Sequence, residues 1–279
     1  MVETERSLRR LSREWLESGE NRLLVGTGVD AEGIASPRLF SRPEETDALV
    51  LSPRSAMAHI VRKAQSLMDE EISLGVVARG CDQKALVELG KLNQVNVNRL
   101  DLIGVACTRE EAQLCWCKQP YPLRIHVGDA VEGVDPFQHP DIQDLFSLTA
   151  DERWERWRRW LSRCIKCYGC RNACPLCVCP ECKIAMEEWA PTGRVPPDPL
   201  AYHLIRAFHL ADKCVSCGAC QMACPAGIPL KFLYIGMGEY LKRTFDYAPG
   251  TEPERHSPVN ADLAIEPILG RDFKKWTST

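Results

Sequence analysis

The chain repeats one cysteine pattern in full. Cys164, Cys167, Cys170 and Cys174, followed by Pro175, form a C-x2-C-x2-C-x3-C-P run, and Cys214, Cys217, Cys220 and Cys224, followed by Pro225, form another. Three cysteines at this spacing sit on a tight loop whose backbone N–H groups can point at cluster sulfides. The fourth, from the other run, closes a second cubane. The proline then turns the chain away without leaving an unsatisfied N–H. On that logic Cys164, Cys167, Cys170 and Cys224 hold one 4Fe-4S cluster, and Cys214, Cys217, Cys220 and Cys174 hold a second. Paired zinc sites are the competing reading, but zinc ribbons use C-x2-C pairs and need neither the third step nor the Cys-Pro ending.

Eleven of the 15 cysteines fall between Cys164 and Cys224. An odd total forbids complete internal disulfide pairing, and the N-terminal residues Met1–Arg6 lack the apolar core of a signal peptide. The expectation is a cytoplasmic protein with reduced, metal-binding thiols. Lys+Arg 35 against Asp+Glu 38 gives a net charge of -3, without the basic excess of a nucleic-acid binder. No apolar run approaches the roughly 18 residues of a membrane span.

The length of 279 residues suggests two domains. In the first half, a helix over 3–18 carries Leu8, Leu11 and Trp15 on one stripe. Short apolar runs at 23–25, 48–51, 74–77 and 102–105 read as strands, with helices at about 54–69 and 82–91 between them. Such alternation predicts a small, mostly parallel sheet covered by helices over residues 1–130. A proline-bearing linker follows over 131–150. An all-α dicluster ferredoxin domain over 151–247 comes next, with helices near 151–163 and 199–212, and then an arm over 248–279. Trp154, Trp157 and Trp160 on the first of those helices, with Arg153, Arg156, Arg158 and Arg159, read either as a partner-docking face or as a half-buried core helix. Gly26-Thr27-Gly28 is a weak hint of a nucleotide loop, and a plain turn is the simpler reading.

Seven cysteines remain. Cys81 and Cys107 each follow a strand, so parallel strands place both at the carboxyl edge, where open α/β sheets build their sites. Cys81 also falls where a helix starts, which favours a thiolate. With Cys115 and Cys117 returning to that edge, four thiols could hold a third iron–sulfur cluster; the simpler reading is buried structural thiols plus one loop pair. Cys177, Cys179 and Cys182 form C-x-C-x2-C directly after the first run and are candidate additional ligands, with no grouping readable. The spacing Cys170, Cys174, Cys177 matches that of radical S-adenosylmethionine enzymes, but two of the three already belong to the doubled motif. His203 and His209 are candidates for tuning a cluster potential, or plain helix residues. No Ser/His/Asp set or carboxylate pair stands out.

The spacer between the runs and its stretch 203–211, together with residues 224–230, resemble the helical two-cluster ferredoxins of heterodisulfide reductase C-type and succinate dehydrogenase iron–sulfur subunits. At Val77–Leu86 and Asp101–Cys107 the chain resembles the beta subunits of coenzyme F-420 hydrogenase and formate dehydrogenase. The run Cys164–Cys182 resembles the bacterial branch in which a dicluster ferredoxin is fused C-terminally. That resemblance implies an electron-transfer iron–sulfur subunit relaying electrons between a formate dehydrogenase or hydrogenase partner and a flavin-containing heterodisulfide reductase A-like subunit. Some family members bind FAD through a considerably larger N-terminal domain, and relatives carry C-x2-C where this chain has Cys115-x-Cys117. The competing functions are a flavin-dependent reductase with its own substrate site at the Cys81/Cys107 edge, and a redox-sensing or scaffold protein.

Overall fold

In the computed structural model, residues 2–182, 184, 186 and 199–260 are described. The chain opens with helix α1 (Val2–Glu17). Its Glu3 and Glu5 sit in the first turn, where the helix dipole favours negative charge. Strands β1 (Arg22–Val29) and β2 (Ala35–Phe40) form an antiparallel hairpin. Helix α2 (Met57–Gln65), strand β3 (Ser73–Ala78), helix α3 (Gly80–Lys91) and strand β4 (Leu100–Gly104) complete the sheet, in the order β2-β1-β3-β4. β1, β3 and β4 run parallel. The expected small, mostly parallel sheet with helices is therefore present.

One expected strand is replaced by another. The apolar run 48–51 makes only a single bridge, Gly28 to Leu49, and the ladder position at that edge goes to β2. β2 carries Pro37 and is largely exposed, as a proline-bearing strand at a sheet edge must be. Leu49 is instead wholly buried as a plug against the sheet. Gly26 and Gly28 lie inside β1, with Leu49 and Phe40 side chains occupying the space a Cβ would need. The Gly-Thr-Gly triplet is thus a packing feature of a strand and neither a turn nor a nucleotide loop.

Alternate strand residues face opposite layers. Leu24 and Ile103 pack with Leu8 and Leu16 of α1, whereas Val25 and Val76 pack with Val61 of α2 and Leu86 of α3. The second layer continues without interruption into the helical half: Leu161, Cys164, Cys170, Tyr202, Ile228 and Tyr234 belong to the same buried cluster.

That half follows α4 (Arg109–Cys115) and comprises α5 (Pro140–Ser147), α6 (Ala150–Leu161), α7 (Gly169–Asn172), α8 (Pro199–Leu210), α9 (Ala219–Met222) and α10 (Leu230–Phe245). α5 falls within 131–150 and buries Ile142 and Leu145 against Phe232 and Ile235 of α10. On α6, Trp157 and Trp160 pack toward the same cluster, with Trp160 edge-on to Phe232, and Trp154 is 45% exposed. No helix of the described residues is long and apolar enough to cross a membrane.

The segment after α10 is fastened back to α3. Glu88 and Lys91 form a buried ion pair at 2.9 Å, and the same carboxylate oxygen accepts from the Gly250 backbone N–H at 2.6 Å and the Tyr247 hydroxyl at 3.4 Å. Removing one member of such a pair strands the other charge in the core, at a cost of about 3–5 kcal/mol. Glu88→Ala is therefore expected to lower unfolding stability by that amount in urea titrations of the anaerobic protein. A loss below about 1 kcal/mol would contradict the assignment of this clamp.

Candidate metal centres

The two cysteine runs fold into the same loop twice. Lys166 and Tyr168 (φ 51° and 58°) correspond in position to Ser216 and Gly218 (φ 54° and 77°), and a one-turn helix follows each, α7 and α9. Left-handed backbone at a non-glycine residue costs about 1–2 kcal/mol, so three such residues require a compensating interaction. Successive turns of this kind aim backbone N–H groups into an anion-binding hollow. Here they aim at sulfur: the Lys166 N–H donates to Cys164 Sγ at 3.4 Å, and those of Ser216, Ala219 and Leu176 donate to Cys214, Cys217 and Cys174.

The first loop closes a small cavity lined by Cys164, Cys167, Cys170 and Cys224 together with Tyr168, Tyr202 and His203. The Tyr202 hydroxyl lies 3.6 Å from Cys170 Sγ. His203 is buried there, and burial with the nearby Arg206 charge holds its imidazole down to about 4, so it is neutral at physiological pH. His209 faces solvent.

In the second loop, burial pushes the Cys214 thiol far up, that of Cys217 up to about 11 and that of Cys220 up to about 12. Cys174 from the first run is close enough to all three to raise them further. Thiols buried this way give up their protons only to a metal. Cysteines alone supply the sulfur donors of both runs, a donor set that suits a thiolate-bound iron–sulfur group.

The sheet's carboxyl edge forms a second, larger hollow of about 510 Å³. Cys81 enters it from the first turn of α3, Cys107 from just beyond β4, and Cys115 and Cys117 from either side of Trp116, whose left-handed backbone (φ 45°) ends α4. All four expected thiols line this one hollow. Cys214 and Cys217 line it too, so it abuts the second cysteine loop. Burial pushes the Cys81 thiol far up, with Asp82 adding to the effect, and Cys107 up to about 11.

Cations surround these thiols. Arg54 donates to Cys115 Sγ at 2.8 Å and to the Cys217 carbonyl at 3.0 Å, Lys231 donates to the Cys115 carbonyl, and Lys84 sits in the wall. Burial lowers the Lys84 ammonium, and the Cys117 and Cys81 sulfurs pull it back up. Arg79, just ahead of α3, donates to Glu111 of α4 at 2.9 Å and to the Leu51 carbonyl at 2.8 Å.

Cys177, Cys179 and Cys182 do not converge among the described residues. Cys177 is hydrogen-bonded to Cys174, which holds its thiol down while raising that of Cys174. Cys179 is exposed, and Cys182 lies near Tyr168. None of the three lines the strand-edge hollow.

Sequence reasoning missed the cations. Arg54 lies in an irregular stretch with no motif around it. Arg206 carried a signal, being a lone cation on the apolar face of α8. The glycines at the edge were also unread. A Cβ on Gly80 would fall 2.5 Å from the Tyr121 carbonyl oxygen, and one on Gly104 only 2.0 Å from that of Arg124. Both glycines let residues 119–127 lie flat across the strand ends. Gly104→Ala is expected to lift that segment and cost about 1–3 kcal/mol of stability in urea unfolding; an unchanged midpoint would contradict the close approach.

Comparison with known proteins agrees with this chemistry. A 4Fe-4S binding domain matches residues 206–226, spanning the second cysteine run. The chain is 35% identical over 140 residues to the F420-dependent formate dehydrogenase subunit beta of Methanocaldococcus jannaschii, covering 48% of this chain and 36% of that protein. It is 40% identical over 84 residues to the F420-dependent formate dehydrogenase 1 subunit beta of Methanococcus maripaludis, covering 30% of this chain and 21% of that protein. The matches thus span about a third or less of the curated relatives' length. Within them, the chain is homologous to formate dehydrogenase beta subunits, and it carries a 4Fe-4S binding domain.

Proposed function

We propose that this protein is an iron–sulfur electron-transfer subunit of a multi-subunit cytoplasmic oxidoreductase. Its helical half is a dicluster ferredoxin. Cys164, Cys167, Cys170 and Cys224 hold one 4Fe-4S cluster, and Cys214, Cys217, Cys220 and Cys174 hold the other. The observation that carries this reading is the repeated loop, in which matched left-handed residues turn backbone N–H groups onto buried cysteine sulfurs. Bound clusters supply one-electron exchange. The chain's own residues exclude water, hold the sulfurs and set the local charge.

Cys81, Cys107, Cys115 and Cys117 hold a third cluster at the strand edge. The wall it shares with Cys214 and Cys217 favours this, because a third group there stands beside the second ferredoxin loop. Electrons then pass in line between the first cluster, the second and the strand edge. A formate dehydrogenase or hydrogenase subunit is the partner on one side, supported by the formate dehydrogenase beta relatives. A flavin-containing heterodisulfide reductase A-like subunit is the partner on the other, on the resemblance of the run Cys164–Cys182. Such a relay needs rigid sites and docking surfaces rather than acid–base residues.

A second reading draws on the size of the strand-edge hollow. At about 510 Å³, with Trp116 and Phe137 in its wall, it falls in the range of small-molecule sites. That favours the alternative of a flavin-dependent reductase with its own substrate site at the Cys81/Cys107 edge. Flavin released from the denatured protein would support it.

Iron content separates the readings. Anaerobically purified protein is expected to hold about twelve irons per chain, falling to about eight in Cys81→Ser. About eight in both would remove the third cluster from the strand edge.

A further inference from the structure

One buried charge in the helical half has no carboxylate partner among the described residues. The Arg206 side chain on α8 is among the largest wholly buried groups in the molecule. Its Nη2 donates to the Cys170 carbonyl at 2.9 Å, its Nη1 donates to the Tyr234 hydroxyl, and it hydrogen-bonds the Cys177 thiol. Its Nε is buried with no hydrogen-bond partner among the described residues. Among the described residues no carboxylate pairs with it, and the groups that stabilise its charge are Tyr234, Cys174, Cys177 and Cys170.

A guanidinium taken out of water costs several kcal/mol unless an opposite charge and good hydrogen bonds offset the loss. Neutral hydroxyl and carbonyl partners supply only part of that. The position of Arg206 names the remainder. It touches the first cysteine set through Cys170, and its charge acts on Cys174 and Cys220 of the second. It therefore stands close to cysteines of both runs, with cysteine sulfur as its anionic surroundings. Each reduction adds one electron, and so one negative charge, to a group that is already anionic, and a fixed cation nearby favours that state.

We propose that Arg206 is a positioning residue shared by both clusters, whose fixed charge raises both reduction potentials and screens one reduced cluster from the other. This rests on the two-cluster reading above. The full chain is purified anaerobically as wild type, Arg206→Gln and Arg206→Lys, its iron is counted, and both ferredoxin-type signals are followed by EPR through a mediated redox titration.

The expected result is that Arg206→Gln keeps its iron while both signals shift at least tenfold toward the oxidised form, 59 mV downward for a one-electron couple, with Arg206→Lys lying closer to wild type. Loss of iron in Arg206→Gln that Arg206→Lys restores would support the same role, because lysine keeps the charge and not the shape. Unmoved potentials, movement of only one cluster, or equal loss of iron in both variants would overturn it. Wild-type protein with fewer than about eight irons would instead overturn the two-cluster reading itself.

Discussion

Burying sulfur is the constraint on which the rest of this structure depends. Cysteine thiols packed out of water resist ionisation: burial pushes Cys81, Cys107, Cys214, Cys217 and Cys220 upward, and the hydrogen bond with Cys177, then burial, does the same to Cys174. A protein that wants thiolates there must supply positive charge, oriented N–H groups, or a metal. This chain arranges the first two around hollows suited to the third. Left-handed turns aim amides at the sulfurs, and Arg54, Lys84, Lys231 and Arg206 stand around them.

The same constraint ties the two halves together. Loops as tight as the cysteine runs have little apolar surface, and they need a core to lean on. Cys164 and Cys170 are buried in the cluster that contains Val76 and Leu86 of the sheet layer. Arg54 reaches from ahead of α2 to the Cys217 carbonyl, and the Glu88 carboxylate holds the chain after α10. The strand-edge thiols and the second cysteine loop consequently share one wall. Under the proposed relay that wall is the junction of the electron path.

How much of this was legible depended on whether the signal was local. The helices over 3–18, 82–91, 151–163 and 199–212 were readable because each turn repeats an apolar position, and they appear as α1, α3, α6 and α8. Cys81 and Cys107 could be set at one edge because two short β-rich runs, read as parallel, leave their ends together. β2 was not legible: it is exposed, interrupted by Pro37, and defined only by its pairing with β1. Leu49 had the apolar look of a strand and proved to be a plug. Arg54 and Arg206 act across 61 and 36 positions of sequence respectively, on Cys115 and on the Cys170 carbonyl, where no spacing rule reaches.

The central claim is crossed ligation, with each cysteine run lending its last member to the other run's cluster. Anomalous diffraction at the iron edge, from crystals grown without oxygen, tests it most directly. The account predicts iron density bounded by Cys164, Cys167, Cys170 and Cys224, and separate density bounded by Cys214, Cys217, Cys220 and Cys174. Iron held by Cys174 together with Cys164, Cys167 and Cys170, or single-atom peaks in place of clusters, would contradict it.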